Sequence, residues 1–261
     1  MNPYYDPSKP HHRPDGFRNN HSDEVTRSLA DVMRWRLDAA RAGVPKPPQA
    51  PIPTACPDLP RLQAYAQQAT HGELSTRDAG QPSVTWIGHA TALVQMAGLT
   101  LLTDPIFSQR ASPLRAVGPK RHQPPGLALH ELPQIDLVLA SHNHYDHLDE
   151  ASVKALNRQP GGPPLFVVPL GLKPWLAARG IRHAVELDWW DHHRLPQHGV
   201  DVVLVPAQHW SARGLNDRMM TLWGGFAVFA DDCHLFYAGD TGYSRDFSDV
   251  RQRFAERQTA A

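Results

Sequence analysis

Apolar positions along the chain fall into two regimes: helical spacing within a proline-rich opening segment, then short apolar runs punctuated by glycine, proline and aspartate. Residues 1 to 21 show no period and are rich in Pro, His, Asn and Arg. This predicts an arm lying on the domain or flexible, with His11 and His12 as solvated loop histidines. From Ser22 the spacing becomes helical: Ser22 is placed to cap, and Asp23 and Glu24 favour the positive end of a helix. Val25, Leu29, Val32, Met33 and Leu37 share one face of that helix, up to Gly43. The opposite face mixes Arg, Asp and Glu, so the stripe is expected to pack and not to bind a membrane. Prolines between residues 44 and 60 predict a stiff strap, and a short helix follows around Leu59 to Ala69. The expected division is an arm, helix and strap over residues 1–60 and a main domain over 61–261.

The main domain opens with three apolar runs, Val84–Ile87, Ala92–Met96 and Leu99–Thr103, the last two joined by Ala97-Gly98 as a tight hairpin. Between the first two lies Gly88-His89-Ala90-Thr91, where a histidine beside glycine at a strand end is placed to look into a cleft. Asp104 ends the third run and reads equally as a turn residue or as a partner that orients a ligand histidine. The long loop over 105–134 carries Arg115, Lys120 and Arg121, a group that suits a phosphate or solvent equally well. Beyond it the pattern predicts a strand at Asp136–Ala140, helices at 150–158 and 171–178, and strands at Leu165–Val168, Val185–Leu187 and Val202–Val205. Phe226–Phe229 is expected to pair with Leu235–Ala238. Trp189 and Trp190 read as core, and His192 and His193 as poor candidates for ligands.

Directly after the Asp136–Ala140 run stands His142-Asn143-His144-Tyr145-Asp146-His147. In an extended segment His142 and His144 turn to the same side and can share one ion, while Asp146 and His147, past the bend, suit a second. Imidazole and carboxylate are ligands that zinc prefers. Two such ions a few ångströms apart can hold a bridging hydroxide, which would be the nucleophile. A chain with 16 histidines clusters some of them by accident. Against accident, His209 and Asp240 also follow apolar strands, so three separate segments end at one sheet edge, where α/β folds place their sites. Gly239 and Gly242 let the backbone bend tightly around Asp240, and a carboxylate held there can bridge two cations.

Composition narrows the partners. The 26 Lys and Arg balance 26 Asp and Glu, and no basic block points to nucleic acid. The start lacks the features of a secretion signal and no apolar run reaches membrane-spanning length, so a soluble, cytoplasmic protein is expected. Cys56 and Cys233 stand far apart without CxxC spacing, which predicts reduced thiols; Cys233 suits a small buried residue better than a ligand near Asp240.

Taken together, Trp86-Ile87-Gly88-His89-Ala90-Thr91, Leu102-Thr103-Asp104-Pro105, Gly118-Pro119-Lys120-Arg121, the histidine loop, Leu187-Asp188-Trp189-Trp190, Gln208-His209-Trp210-Ser211 and Gly239-Asp240-Thr241-Gly242-Tyr243 resemble the metallo-β-lactamase superfamily. The resemblance is strongest to its branch containing N-acylphosphatidylethanolamine phospholipase D and related bacterial hydrolases. It implies an α/β fold, an αββα sandwich, with two zinc ions: His142, His144 and His209 for the first, Asp146 and His147 for the second, Asp240 for both. It further implies a zinc-dependent hydrolase whose bridging hydroxide attacks a phosphodiester such as an N-acylphosphatidylethanolamine-type phospholipid. Asp146 would orient the hydroxide and accept its proton, and His89, Asp104, Lys120 and Arg121 are candidates to contact substrate or support the ligands. The alternatives are a lactonase or other ester hydrolase of the same superfamily, or a truncated, inactive metal-binding relative. Expected partners are a small-molecule or phospholipid substrate, at most peripheral contact with a membrane, no nucleic acid, and a second copy in a homodimer. The family places a further histidine several tens of residues after the Gly-Asp-Thr-Gly region, with additional strands and a helix. No downstream position matches, so a truncated chain is expected, its second metal site short of a ligand and the second half of its sandwich incomplete. Asp217-Arg218-Met219-Met220 also departs from the family, where a polar residue follows the arginine.

Overall fold

The computed structural model describes residues 1–22, 28–44, 50, 52–70, 81–114, 116–231 and 233–258. In the opening arm, β1 (His12–Arg13) and β2 (Gly16–Phe17) pair as a short hairpin, and α1 (Leu29–Arg41) and α2 (Leu59–Thr70) follow. Six strands then form one sheet in chain order: β3 (Ser83–Gly88), β4 (Thr91–Met96), β5 (Leu99–Thr103), β6 (Leu137–Leu139), β7 (Leu165–Pro169) and β8 (Ala184–Leu187). The first three are antiparallel, and β5 to β8 run parallel. A second, antiparallel sheet has the order β12-β11-β10-β9, from β9 (His192–Leu195), β10 (Val200–Val205), β11 (Gly225–Phe229) and β12 (His234–Tyr237). Helices α3 (Glu150–Leu156), α4 (Leu172–Ala177), α5 (Asp246–Arg253) and α6 (Ala255–Gln258) complete the elements.

Alternation along each strand sorts side chains into layers. Leu101, Leu137, Leu139 and Val167 meet Val200, Val202, Leu204, Phe226 and Val228 between the two sheets. The intervening Leu102, Val138, Phe166 and Val168 point outward against Leu62 of α2, Val153 and Leu156 of α3 and Leu172 and Leu176 of α4. On the far side, Val203, Val205, Ala227 and Phe229 meet Val250 of α5 and Phe254. Helices, sheet, sheet and helix are thus stacked as an αββα sandwich. Strands buried on both faces explain why β6 and β7 read as unbroken apolar runs. Leu101 is fully buried between the sheets, and its truncation to Ala would cost about 2–5 kcal/mol.

Most predicted strands form where expected. The Ala97-Gly98 turn has φ of 50° and 70° at its two residues, the successive left-handed conformations of a tight hairpin. Four expectations are corrected. Helix α1 starts later: Ser28 caps it, accepting from the Asp31 backbone while Asp31 accepts from Ser28, a capping box that outcompetes the local signal at Ser22. Asp23, Glu24 and Val25 lie outside the described residues, as do most prolines of the strap. The stripe on α1 does not pack: Val32, Met33 and Leu37 are exposed, with Trp35 at 68%. The arm lies on the domain, one of its two expected readings, but His11 and His12 are buried, not solvated. Both donate to the Asp188 carboxylate, at 2.7 and 2.9 Å, and Lys9 reaches it as well, while Phe17 enters the core between the sheets. Residues 1–21 are therefore part of the domain that was expected to begin at residue 61. Finally, β9 was not predicted, because its sequence, His-His-Arg-Leu, lacks an apolar run; pairing with β10 creates it. Neither cysteine forms a disulfide; Cys56 is exposed and Cys233 is packed against the core.

Candidate metal centre

Five connections at one end of the sandwich supply the site. The β3–β4 turn carries His89, the end of β5 carries Asp104, the segment after β6 carries His142 to His147, and those after β10 and β12 carry His209 and Asp240. Parallel pairing of β5 with β6 sets Asp104 beside Ser141 and its loop. Gly239, at a φ of 62°, turns the backbone into Asp240, and a Cβ on it would stand 2.8 Å from both Gly224 O and the Ser141 Cβ, so only glycine fits.

Asp104 is fully buried and its carboxylate accepts four hydrogen bonds. Ser141 N and Oγ each donate at 2.6 Å, His147 Nδ1 at 2.6 Å and Tyr237 Oη at 2.5 Å. Burial and the Asp104 charge hold the Tyr237 phenol far above its usual pKa, so it stays a donor. These bonds fix two imidazole tautomers. With its hydrogen given to Asp104, Ser141 Oγ can only accept from His142 Nδ1, 2.9 Å away, leaving the lone pair of His142 on Nε2. His147 likewise commits Nδ1–H to Asp104 and presents Nε2. Of the two readings of Asp104, the geometry is that of a partner behind the histidines, although its φ of 32° also makes it a turn residue.

His142 Nε2 lies 2.8 Å from His144 Nδ1, which lies 3.2 Å from His209 Nε2. Burial, with the neighbouring imidazoles adding to it, lowers the pKa of His142 well below the usual value and brings His144 down to about 4. Burial lowers His209 too. All three are therefore neutral near pH 7, with lone pairs converging, the state a divalent cation requires.

A second group adjoins the first. His147 Nε2 lies 3.7 Å from Asp146 Oδ2, and His89 Nε2 lies 3.0 Å from that same oxygen. Asp240 Oδ2 stands between the groups, 3.3 Å from His147 Nε2 and 3.7 Å from His209 Nε2. Burial opposes a charge on His147, but the surrounding Asp104, Asp240 and Asp146 outweigh it and push its pKa up to about 10. Facing His147, Asp240 is held down at about 2. The carboxylates thus demand a cation at this point. The ion pair with Asp240 Oδ2 at 3.3 Å answers part of that demand, while buried His147 Nε2 makes no aligned hydrogen bond, so a divalent cation can take the place of its proton. Donor type, lone-pair direction and this orphaned nitrogen all fit divalent metal ions.

Six sequence-predicted residues, His142, His144, Asp146, His147, His209 and Asp240, are brought together, with Asp104 behind them and His89 among them. Lys120 and Arg121 line a cavity of about 620 Å³ that opens beside His144 and Asp146, walled also by Trp86, Ile106 and Trp210. Arg121 directs its guanidinium to the carbonyls of Ile106 and Ser108 and so holds the loop; Arg115 lies outside the described residues. Three supporting residues had no signal in the sequence. Asn19 grips the His209 backbone, Tyr237 donates to Asp104, and half-buried Arg213 donates to Asn143 O and Leu148 O on either side of the loop.

The family described as the β-lactamase superfamily domain matches residues 100–259. An uncharacterized protein of Mycobacterium tuberculosis is 38% identical over 221 residues, covering 84% of this chain and 54% of its own length. The N-acyl-phosphatidylethanolamine-hydrolyzing phospholipase D 1 of Caenorhabditis elegans is 40% identical over 167 residues, 61% of this chain and 46% of its own. The chain spans about half the length of these curated relatives. Among solved structures, an isothiocyanate hydrolase from Delia radicum gut bacteria superposes with a TM-score of 0.51 at 23% identity, covering 66% of this chain and 67% of that one. With the sandwich, the clustered ligands and a match over most of the chain in agreement, the protein belongs to the metallo-β-lactamase superfamily.

Proposed function

We propose that the protein is a zinc-dependent hydrolase of phosphodiesters carried on amphiphilic molecules, with an N-acylated phospholipid as the type substrate. The observation that carries this reading is the pair of ligand groups sharing Asp240 at the mouth of a largely apolar cavity. A centre of imidazoles and carboxylates suits zinc, and the similarity to phospholipase D relatives supports the phosphodiester. When bound, a pair of such ions supplies Lewis acidity and lowers the pKa of water. The chain's own residues do the rest. Asp146 presents a partly exposed carboxylate to the cavity, oriented through Oδ2 by His89, and takes up the proton released from water. Lys120, which forms no ion pair among the described residues, offers its charge to the phosphate, and Trp86, Ile106 and Trp210 take the apolar part of the substrate.

The test is hydrolysis by metal-free protein reloaded with zinc. Release of phosphatidic acid from vesicles containing N-acylphosphatidylethanolamine, abolished by His142→Ala, is expected. Turnover of lactones or carboxylic esters with no attack on any phosphodiester would overturn the assignment.

A further inference from the structure

We propose that a second cleft, at the end of the sandwich away from the metal centre, binds a small organic phosphate that also carries a hydroxyl group. The metal centre lies past the carboxyl ends of the parallel strands. This cleft lies at their starts, beside Leu99, Asp136, Leu165 and Ala184, and is bounded by β9 and the single helical turn Pro196–His198 that follows it. Its volume is about 560 Å³, within the size range of small-molecule sites and far more than a bare ion needs.

The polar lining is biased toward positive charge: two guanidinium groups, Arg182 and Arg194, and three imidazoles, His183, His193 and His198, surround one carboxylate, Asp136. Arg194 is paired with Asp201 at 2.8 Å, whereas the Arg182 guanidinium forms no ion pair or hydrogen bond among the described residues. Two of the imidazoles are anchored. His183 Nδ1 donates to Pro164 O at 3.1 Å, and His198 donates to the Ala97 carbonyl. Each leaves its other nitrogen to the cleft, to accept from a P–OH when neutral and to donate to a phosphate oxygen when protonated. Asp136 is fixed as well: its Oδ2 accepts from Thr100 N at 2.8 Å, which leaves Oδ1 as an acceptor for a hydroxyl. Burial pushes the Asp136 carboxyl up and the His198 imidazole down, and each charge opposes the other's shift, so the two groups stand within electrostatic reach. A metal ion does not fit here, because among the described residues no three ligand atoms of this cleft gather within 4.8 Å, as they do at the metal centre. A tetrahedral anion on a carbon skeleton spans donors that are further apart, and its charge answers the unpaired guanidinium.

Zinc-loaded protein titrated with glycerol 3-phosphate, inorganic phosphate and sulfate tests this, read through backbone amide resonances. Glycerol 3-phosphate is expected to shift the amides of Ala184, Val185, Leu195 and His198 with a single saturable affinity, tighter than that of sulfate. Arg182→Ala should weaken it roughly 10-fold or more. Asp136→Asn, whose side-chain carbonyl can still accept from Thr100 N, should cost glycerol 3-phosphate about 3–10-fold and should not weaken inorganic phosphate. No shift at the cleft, or one that sulfate matches and Arg182→Ala leaves unchanged, would overturn the site. Shifts of the histidine loop alone would report phosphate at the metal centre and count against the cleft equally.

Discussion

The carboxamide of Asn19 holds both backbone polar groups of His209: Nδ2 donates to His209 O and Oδ1 accepts from His209 N, each at 2.9 Å. A residue of the opening arm thereby sets the position of an imidazole 190 residues later. The Trp223 indole, 3.3 Å from the same Oδ1, steadies the clamp from beneath. Removal in Asn19→Ala leaves a buried amide and carbonyl to find other partners, at about 2 kcal/mol. Metal affinity at the first site is expected to fall about 10-fold or more. Thermal melting and zinc titration of the variant read the two effects separately, and an unchanged zinc affinity would show that the clamp does not position His209.

Asp188 secures the same arm. Burial by itself would raise its pKa, but hydrogen bonds from His11 and Lys9 win and hold it well below the usual carboxylate range. The sign follows from a depressed folded value: the stabilisation is present above the unfolded pKa of about 3.9 and is lost as pH falls through the folded one. Wild type should therefore lose melting temperature steeply below about pH 4, and Asp188→Asn, about 3 kcal/mol less stable at pH 7, should lose less over that range. Parallel slopes for the two proteins would rule the latch out.

Arg213 ties the histidine loop to its surroundings, donating through Nη1 to Asn143 O and Leu148 O at 2.8 Å each while stacking on Tyr145 and Trp175, 4.0 and 4.7 Å from the ring centroids. Lysine has no planar group to reproduce that stacking. We expect Arg213→Lys to cost about 1.5–3 kcal/mol and to loosen zinc binding at both groups. Denaturant unfolding and zinc titration check it.

The two groups should differ in proton release. His142, His144 and His209 are neutral at pH 7, so the first equivalent displaces no proton from them, and it should stay bound until the pH approaches the His144 value of about 4. His147, raised to about 10, must give up a proton to the second equivalent. Calorimetry in buffers of different ionisation enthalpy should show about one proton more for the second binding event. Its affinity should rise about tenfold per pH unit across the neutral range, and a flat profile would contradict the assignment.

Much of this molecule is written locally. A run such as Leu137-Val138-Leu139 is apolar because both faces of its strand are covered, and the Ala97-Gly98 turn is set by its own two residues. His142-Asn143-His144 needs only an extended backbone to put two nitrogens on one side. Burial periodicity and turn chemistry act over a few residues, so the chain alone determined most of the strands, the hairpin and the identity of the six converging side chains, whereas β9 needed its partner β10. Tertiary structure decided what depends on strand pairing across long separations. It put His89 beside Asp146, Asp104 behind His147, Asn19 on His209, and His11 and His12 inside around Asp188. None of those contacts has a local signature, because each polar group is satisfied by a partner that only the assembled sheets bring within reach.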